Sequence, residues 1–435
     1  MNIRRFRVAI LSALCAAGPA LPAGGQVTFR IVSNMGKWGP PVGLVEGTPG
    51  VFYSTGGSAQ QAAFSITSEG AKTFLASFPL STYVESPLVS ASNQRFYSSV
   101  QLHLNPPDVF SIGSTPGKHL YGEQTVLPLF TQNLPDGSLL GVAVALADNS
   151  MSLIRGDTSG RIGAPIYTFP SREVLPLTAL YASDGNYYGV SYLNDGSGYV
   201  YRVTPSGSFS QLLSFPPGAF VGNPSFVPLL QASDGYLYGA TPNGGANKTG
   251  IIYKLTLAGE YTLLYTFPKG LNYNPTNLIQ ASDGNLYGAT FGLNGFAQLF
   301  RITTSGQYTL LVQLTSLGCL CLLTQGSDGI IYGTAQAGGA VGAGAVFALD
   351  AGLPKPAPQP LQFVPPNGPV GTRVRIWGNN MLGASAEFGG VAAPDVVTSG
   401  PNYVRATVPP GAVSGPITIT TPAGTASTQA SFTVE

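Results

Sequence analysis

The phrase Ala182-Ser-Asp-Gly-Asn-Tyr-Tyr-Gly189 returns as Ala232-Ser-Asp-Gly-Tyr-Leu-Tyr-Gly239, Ala281-Ser-Asp-Gly-Asn-Leu-Tyr-Gly288 and Gly326-Ser-Asp-Gly-Ile-Ile-Tyr-Gly333. Its aspartates, Asp184, Asp234, Asp283 and Asp328, stand 50, 49 and 45 residues apart. A fixed period of that size in β-type sequence implies radially repeated sheets or a solenoid, because one such unit cannot bury its own apolar face.

Weaker copies extend the series upstream: Gly47-Thr-Pro-Gly-Val-Phe-Tyr53, Ala91-Ser-Asn-Gln-Arg-Phe-Tyr97 and, faintest, Ala147-Asp148-Asn149. Positions 49, 93, 148, 184, 234, 283 and 328 then mark seven copies, with an irregular gap before 184. The clearest copy reads as four short strands, 226–232, 237–243, 250–256 and 261–267, separated by Gly-containing turns. Four antiparallel strands per repeat make one propeller blade. The last repeat ends at Gly344-Ala-Val-Phe-Ala-Leu-Asp350 without a fourth strand, and an unattached strand, Val27-Thr-Phe-Arg-Ile-Val32, precedes the first. If that strand completes the last blade, the ring closes without an open edge. The expected fold is therefore all-β: a seven-bladed β-propeller, followed by a small Ig-like β-sandwich.

Each position of the phrase has a physical reason. Asp caps the backbone two residues on, and Gly adopts the positive φ of a tight hairpin. The tyrosines Tyr188, Tyr238, Tyr287 and Tyr332 are expected between blades, and the following glycines where strands crowd the axis. Asp184, Asp234, Asp283 and Asp328 are accordingly structural turn residues. A rim of carboxylates for cations or sugars is the competing reading, but Pro49 and Asn93 interrupt it, and no run of calcium-loop ligands occurs.

Only 39 residues are charged and the formal net charge is +1, so nothing attracts phosphate backbones and no nucleic-acid partner is expected. Arg4, Arg5 and Arg7 precede an apolar run, Val8 to Ala17, that is too short to span a bilayer. Residues 1–25 therefore read as a signal peptide cleaved between Ala20 and Gln26, with no transmembrane segment in the remainder. The expected location is periplasmic, secreted or at the cell surface. Cys319 and Cys321, two residues apart on a strand, read as buried small apolar side chains. With two histidines in all, no metal site and no cofactor are expected.

Tyr238-Gly-Ala-Thr-Pro-Asn-Gly-Gly-Ala246 and Ile252-Tyr-Lys-Leu-Thr256 resemble the GloVer-type tandem repeat of secreted bacterial proteins, most strongly between about 175 and 350. The resemblance implies export and a propeller-like repeat; it transfers no catalytic residue. The propeller is assigned to 26–352 and a proline-rich tether to 353–360. In 361–435, the segments Gly371-Thr-Arg-Val-Arg-Ile-Trp-Gly-Asn-Asn380, Phe388-Gly-Gly390 and Val408-Pro-Pro-Gly-Ala-Val-Ser-Gly415 resemble the IPT/TIG family of immunoglobulin-like domains. That resemblance implies an extracellular spacer or adhesion module. Val374 and Ile376 are expected inward, with Arg373, Arg375 and Trp377 on a solvated face. Because the tether has few apolar residues, the two domains are expected to share little interface.

Function is sought where the repeat is broken. The region Ser98 to Asp136 holds the ligand-binding candidates His103, Asn105, His119, Tyr121 and Glu123. The loops Pro242–Thr249, Gly292–Gln298 and Ala335–Ala343 form a second set. Neither His103 nor His119 lies in a nucleophile-elbow context, and Gly338-Gly-Ala-Val-Gly-Ala-Gly344 does not open a helix as a phosphate loop must. The reading is an exported, monomeric, non-catalytic binding module for a glycan or protein. An enzyme acting on extracellular polysaccharide, or a passive scaffold, is the alternative.

Overall fold

A computed structural model describes residues 27–435, apart from 58–60, 79–81, 85, 103–104, 114–116, 124, 171–173, 177, 221–227, 270–273, 292–296, 315–316, 318–319 and 340–341. Among these residues the chain is built of strands, with two short 3-10 turns.

Among the described residues, seven antiparallel sheets of four or five strands follow one another through 28–350. The fifth is typical: Leu230–Gln231, Leu237–Thr241, Ile251–Leu255 and Tyr261–Thr266. In the seventh, three strands come from Leu320–Gln325, Ile331–Ala335 and Ala345–Asp350, and the fourth is the amino-terminal strand Thr28–Asn34. It runs antiparallel to Ala345–Asp350, with Thr28 opposite Asp350. Each sheet packs its apolar faces on its two neighbours. Tyr238 of the fifth lies with Leu278, Leu286 and Phe300 of the sixth, and burying such a ring contributes about 2–3 kcal/mol. Phe52 and Phe64 of the first meet Tyr332 and Val346 of the last, so the succession closes into a propeller ring.

The third copy of the phrase requires a correction. Ala145–Ser150 is the second hairpin of its sheet, joining Leu139–Ala145 to Met151–Gly156. The first hairpin turns at Leu134-Pro-Asp-Gly-Ser138, where Asp136 accepts from Ser138 N at 3.0 Å. Asp136, not Asp148, is the equivalent residue. Both turns carry the same side-chain cap, since Asp148 accepts from Ser150 N, so the sequence does not separate them.

The glycine after each repeat tyrosine also has a different reason from crowding at the axis. A Cβ on Gly288 would lie 2.2 Å from Cζ of Phe300, and one on Gly333 2.3 Å from Cζ of Phe347. Tyr201 and Tyr253 occupy the matching places over Gly189 and Gly239. The glycine makes room for an aromatic ring from the next strand of its own sheet.

Residues 359–434 form two further sheets around a separate core that includes Val374, Ile376, Phe388, Ile417 and Phe432. This sandwich does not hang free, contrary to the expectation from its tether. Ser399 Oγ accepts from Gln94 N at 3.0 Å and donates to Ser92 O at 3.3 Å. Arg375 Nη1 donates to Asp136 O at 3.1 Å, and Trp377, 7% exposed, sets its ring edge-on to Tyr181. Val374 and Ile376 do point inward, but Trp377 is buried rather than solvated.

Candidate functional site

The turn-bearing rim of the ring is chemically self-satisfied in its regular part. Asp184, Asp234, Asp283 and Asp328 each accept a backbone N–H two residues on with one oxygen. The other oxygen takes the hydroxyl of Tyr188, Tyr238, Tyr287 or Tyr332 at 2.6–3.0 Å. Burial opposes the charge on Asp184, yet hydrogen bonds from Asn186 and Tyr188 outweigh it and hold the carboxyl below its ordinary value. Burial and the neighbouring carboxylate push the four tyrosines up.

The residue three before each aspartate is a joint between sheets. Gln231, Gln280 and Gln325 each accept the N–H of the preceding sheet's Ser183, Ser233 or Ser282. Each returns a bond from its amide nitrogen to the hydroxyl of the same serine. Where the last sheet meets the first, the joint is a carboxylate, Glu46, 4% exposed. Its oxygens accept Ser327 N, Ser327 Oγ and Gly50 N at 2.7–2.8 Å. Burial is the largest influence on Glu46 and raises its pKa despite these bonds. In the second, third and fourth sheets the same position holds Ser90, Asn133 and Tyr181.

Of the ligand-binding candidates, His103 lies outside the described residues. Asn105 opens the strand Asn105–Ile112 of the second sheet, and His119, Tyr121 and Glu123 lie on its outer strand, Lys118–Glu123. His119 is registered with Ser111 and Glu123 with Asp108 on the neighbouring strand. The side chains of these four lie outside the described residues, as do Cys319 and the side chain of Cys321. In the loop Pro242–Thr249, Asn247 and Thr249 both donate to Phe267 O. Parts of the loops Gly292–Gln298 and Ala335–Ala343 lie outside the described residues. Among the described residues, no three His, Cys, Asp or Glu side chains group as metal ligands.

A feature that the sequence did not single out lies on the third sheet. Its outer strand is reduced to Tyr167–Thr168, whereas those of the first, fourth, fifth and sixth sheets have six or seven residues. A loop carrying Gly163 and Pro165 takes its place, and proline has no N–H to extend a ladder. The result is a cleft of about 530 Å³. Thr125, Ser150, Ser152, Ser159 and Thr168 bring hydroxyls to it, and Arg161 a guanidinium. Val126, Ile154, Ile162 and Pro165 form apolar wall. The available signal was the irregular third copy, which marked the right repeat.

Residues 171–355 match the family model of the Gloeobacter/Verrucomicrobia repeat, so this part of the chain carries that repeat. No curated protein matches the chain. Among solved structures, a streptogramin B lyase is similar at 16% identity and TM-score 0.53, over 74% of this chain and 97% of that one. A catalytically inactive virginiamycin B lyase from Staphylococcus aureus, with quinupristin, is 15% identical at TM-score 0.54, over 74% and 99%. The BP39L lectin from Burkholderia pseudomallei is 12% identical at TM-score 0.51, over 70% and 97%. At these identities the likeness concerns the propeller fold alone.

Proposed function

We propose that a chain carrying this repeat on a propeller is an exported binding module, with a glycan as the first class of ligand and a protein surface as the second. The observation that carries the reading is the cleft on the third sheet. It opens where the repeat loses its outer strand, and it combines several hydroxyls and one guanidinium with an aliphatic wall. Sugars present that same mixture of hydroxyls and apolar ring faces, and sites of this kind are concave with a few placed polar groups. A lectin among proteins of the same fold is in keeping with this use, as lyases are with a catalytic one.

Export rests on the amino-terminal Arg-rich and apolar segments, and among the described residues no helix is long and apolar enough to cross a membrane. Mature protein is expected to begin near Gln26, outside the inner membrane. The carboxy-terminal sandwich belongs to this reading as an IPT/TIG-like module. Retention of the mature chain on immobilised polysaccharides tests the reading, with Thr168→Trp, at an exposed lining position, used to fill the cleft. Binding by the native chain and its loss in the filled variant are expected. Undiminished binding by the filled variant excludes the cleft, and release of new sugar ends by the native chain replaces the binding module with an enzyme.

A further inference from the structure

The joint position divides the ring into two parts. From the fourth sheet round to the first, neighbours are tied by Gln231, Gln280, Gln325 and Glu46, each gripping a serine of the preceding turn. At the second, third and fourth sheets the same position holds Ser90, Asn133 and Tyr181, none of which grips a serine, and here the carboxy-terminal sandwich makes contact beside ties of another kind, such as Gln132 accepting Tyr181 N. Gly400, at φ +61°, lies so close to Ser90 that a Cβ would be 2.5 Å from the serine Cβ. Trp377 meets Tyr181, and Arg375 reaches the carbonyl of Asp136, three residues beyond Asn133.

The second turn keeps the conformation of the other turns where it meets the sandwich. Gln94 stands where the phrase has glycine and holds the same positive φ, 63°, which a non-glycine residue adopts only at a cost. Its backbone N–H donates to Ser399 Oγ. At the sixth and seventh sheets the tether is engaged as well: Pro354 O accepts Ser282 Oγ at 2.5 Å, and a Cβ on Gly329 would lie 2.7 Å from Leu353 O. With Gly383 placed so that a Cβ would lie 3.7 Å from Pro49 Cγ of the first turn, the carboxy-terminal segment touches the sixth and seventh sheets and the first four. These contacts all fall on the turn-bearing side of the ring.

We propose that the sandwich is an intramolecular clasp. It supplies, for the first four sheets, part of the work that the Gln–Ser joints do elsewhere, and it does so from the turn-bearing side of the ring. The assignment stands apart from the identity of the ligand and from the cleft on the third sheet.

The test uses the full mature chain. Hydrogen exchange is compared in the native protein and in Gly400→Arg, whose side chain has no room against Ser90. Amides in the turns at 46–50, 91–95 and 134–138 are expected to lose at least ten-fold protection, while those at 232–236 and 281–285 and the sandwich core keep theirs. Gln280→Ala is expected to do the reverse, loosening 232–236 and sparing 91–95. Unchanged protection of the first three turns in Gly400→Arg overturns the clasp. Should that variant fail to fold, a protease site inserted between Ala357 and Pro358 decides. Nicked halves that elute together support the clasp, and halves that separate as two folded pieces overturn it.

Discussion

The fourth to seventh sheets and the first three solve one mechanical problem in different ways. The regular sheets carry their ties within the repeat: an aspartate caps the turn, its tyrosine packs between sheets and, in the fifth to seventh, a glutamine grips the serine of the preceding turn. The first three have Pro49, Asn93 and the Leu134-Pro-Asp turn in place of the regular phrase. At the first, Glu46 takes on a cap that Pro49 cannot supply, accepting Gly50 N. At the second, Asn93 Nδ2 donates to Tyr97 OH, which donates in turn to Thr158 O. The sandwich hydrogen-bonds to turns that have departed from the phrase, those at 91–95 and 134–138. Divergence in a repeat can therefore mark a contact rather than decay.

The largest test of this contrast is at the seam. Glu46→Ala leaves Ser327 N, Ser327 Oγ and Gly50 N without their acceptor, and should cost about 3 kcal/mol in urea unfolding. Gln280→Ala, at an amide joint, should cost about 1–2 kcal/mol. Equal losses would mean that the seam is held no differently from the other joints. Next comes the glycine beneath an aromatic ring. Gly288→Ala overpacks against Phe300 and should cost about 2 kcal/mol. The first sheet has Ser54 at this place, where a Cβ is already accommodated, so Ser54→Ala should stay within about 1 kcal/mol.

A smaller effect is expected in acid. The Asp184 carboxyl sits below its ordinary value of 3.8 in the folded chain, so its stabilisation is present above that value and is lost as pH falls through the folded pKa. Thermal unfolding of Asp184→Asn should therefore change less than that of the native chain below about pH 4. A pH profile of the same slope in both would remove the turn carboxylates from the account of the regular sheets. Smallest of all is Tyr253→Phe. Among the described residues the Tyr253 hydroxyl is buried without a hydrogen-bond partner, and Phe300 fills the same place in the next sheet. The substitution should be neutral or stabilising by up to about 1 kcal/mol, and a clear loss would reveal a partner for that hydroxyl.

Much of the ring was legible because its physics is local. The Asp-Gly turns and the tyrosine four residues on are written in consecutive residues, and the missing fourth strand of the last repeat pointed to 27–32 as its completion. The third copy was misread because Asp136 and Asp148 cap two successive hairpins by the same chemistry. The contact of the sandwich was not legible for a different reason. Trp377 alternates with Ile376 as an exposed strand residue would, and only its meeting with Tyr181, far away in sequence, shows that it is covered. The cleft on the third sheet follows from a strand that is too short, and periodicity read along one chain registers such a gap only as irregularity.

The strand that closes the ring also sets the order of events in folding. Thr28 and its partner Asp350 are about 320 residues apart, so the first strand of the propeller to be made is among the last to find its place. Until Ala345–Asp350 arrives, both keep a bare edge able to pair with another chain. Contacts between such distant segments form slowly. The interval is a window for aggregation, and the conditions under which this protein is made will matter more to its yield than the stability of the finished ring.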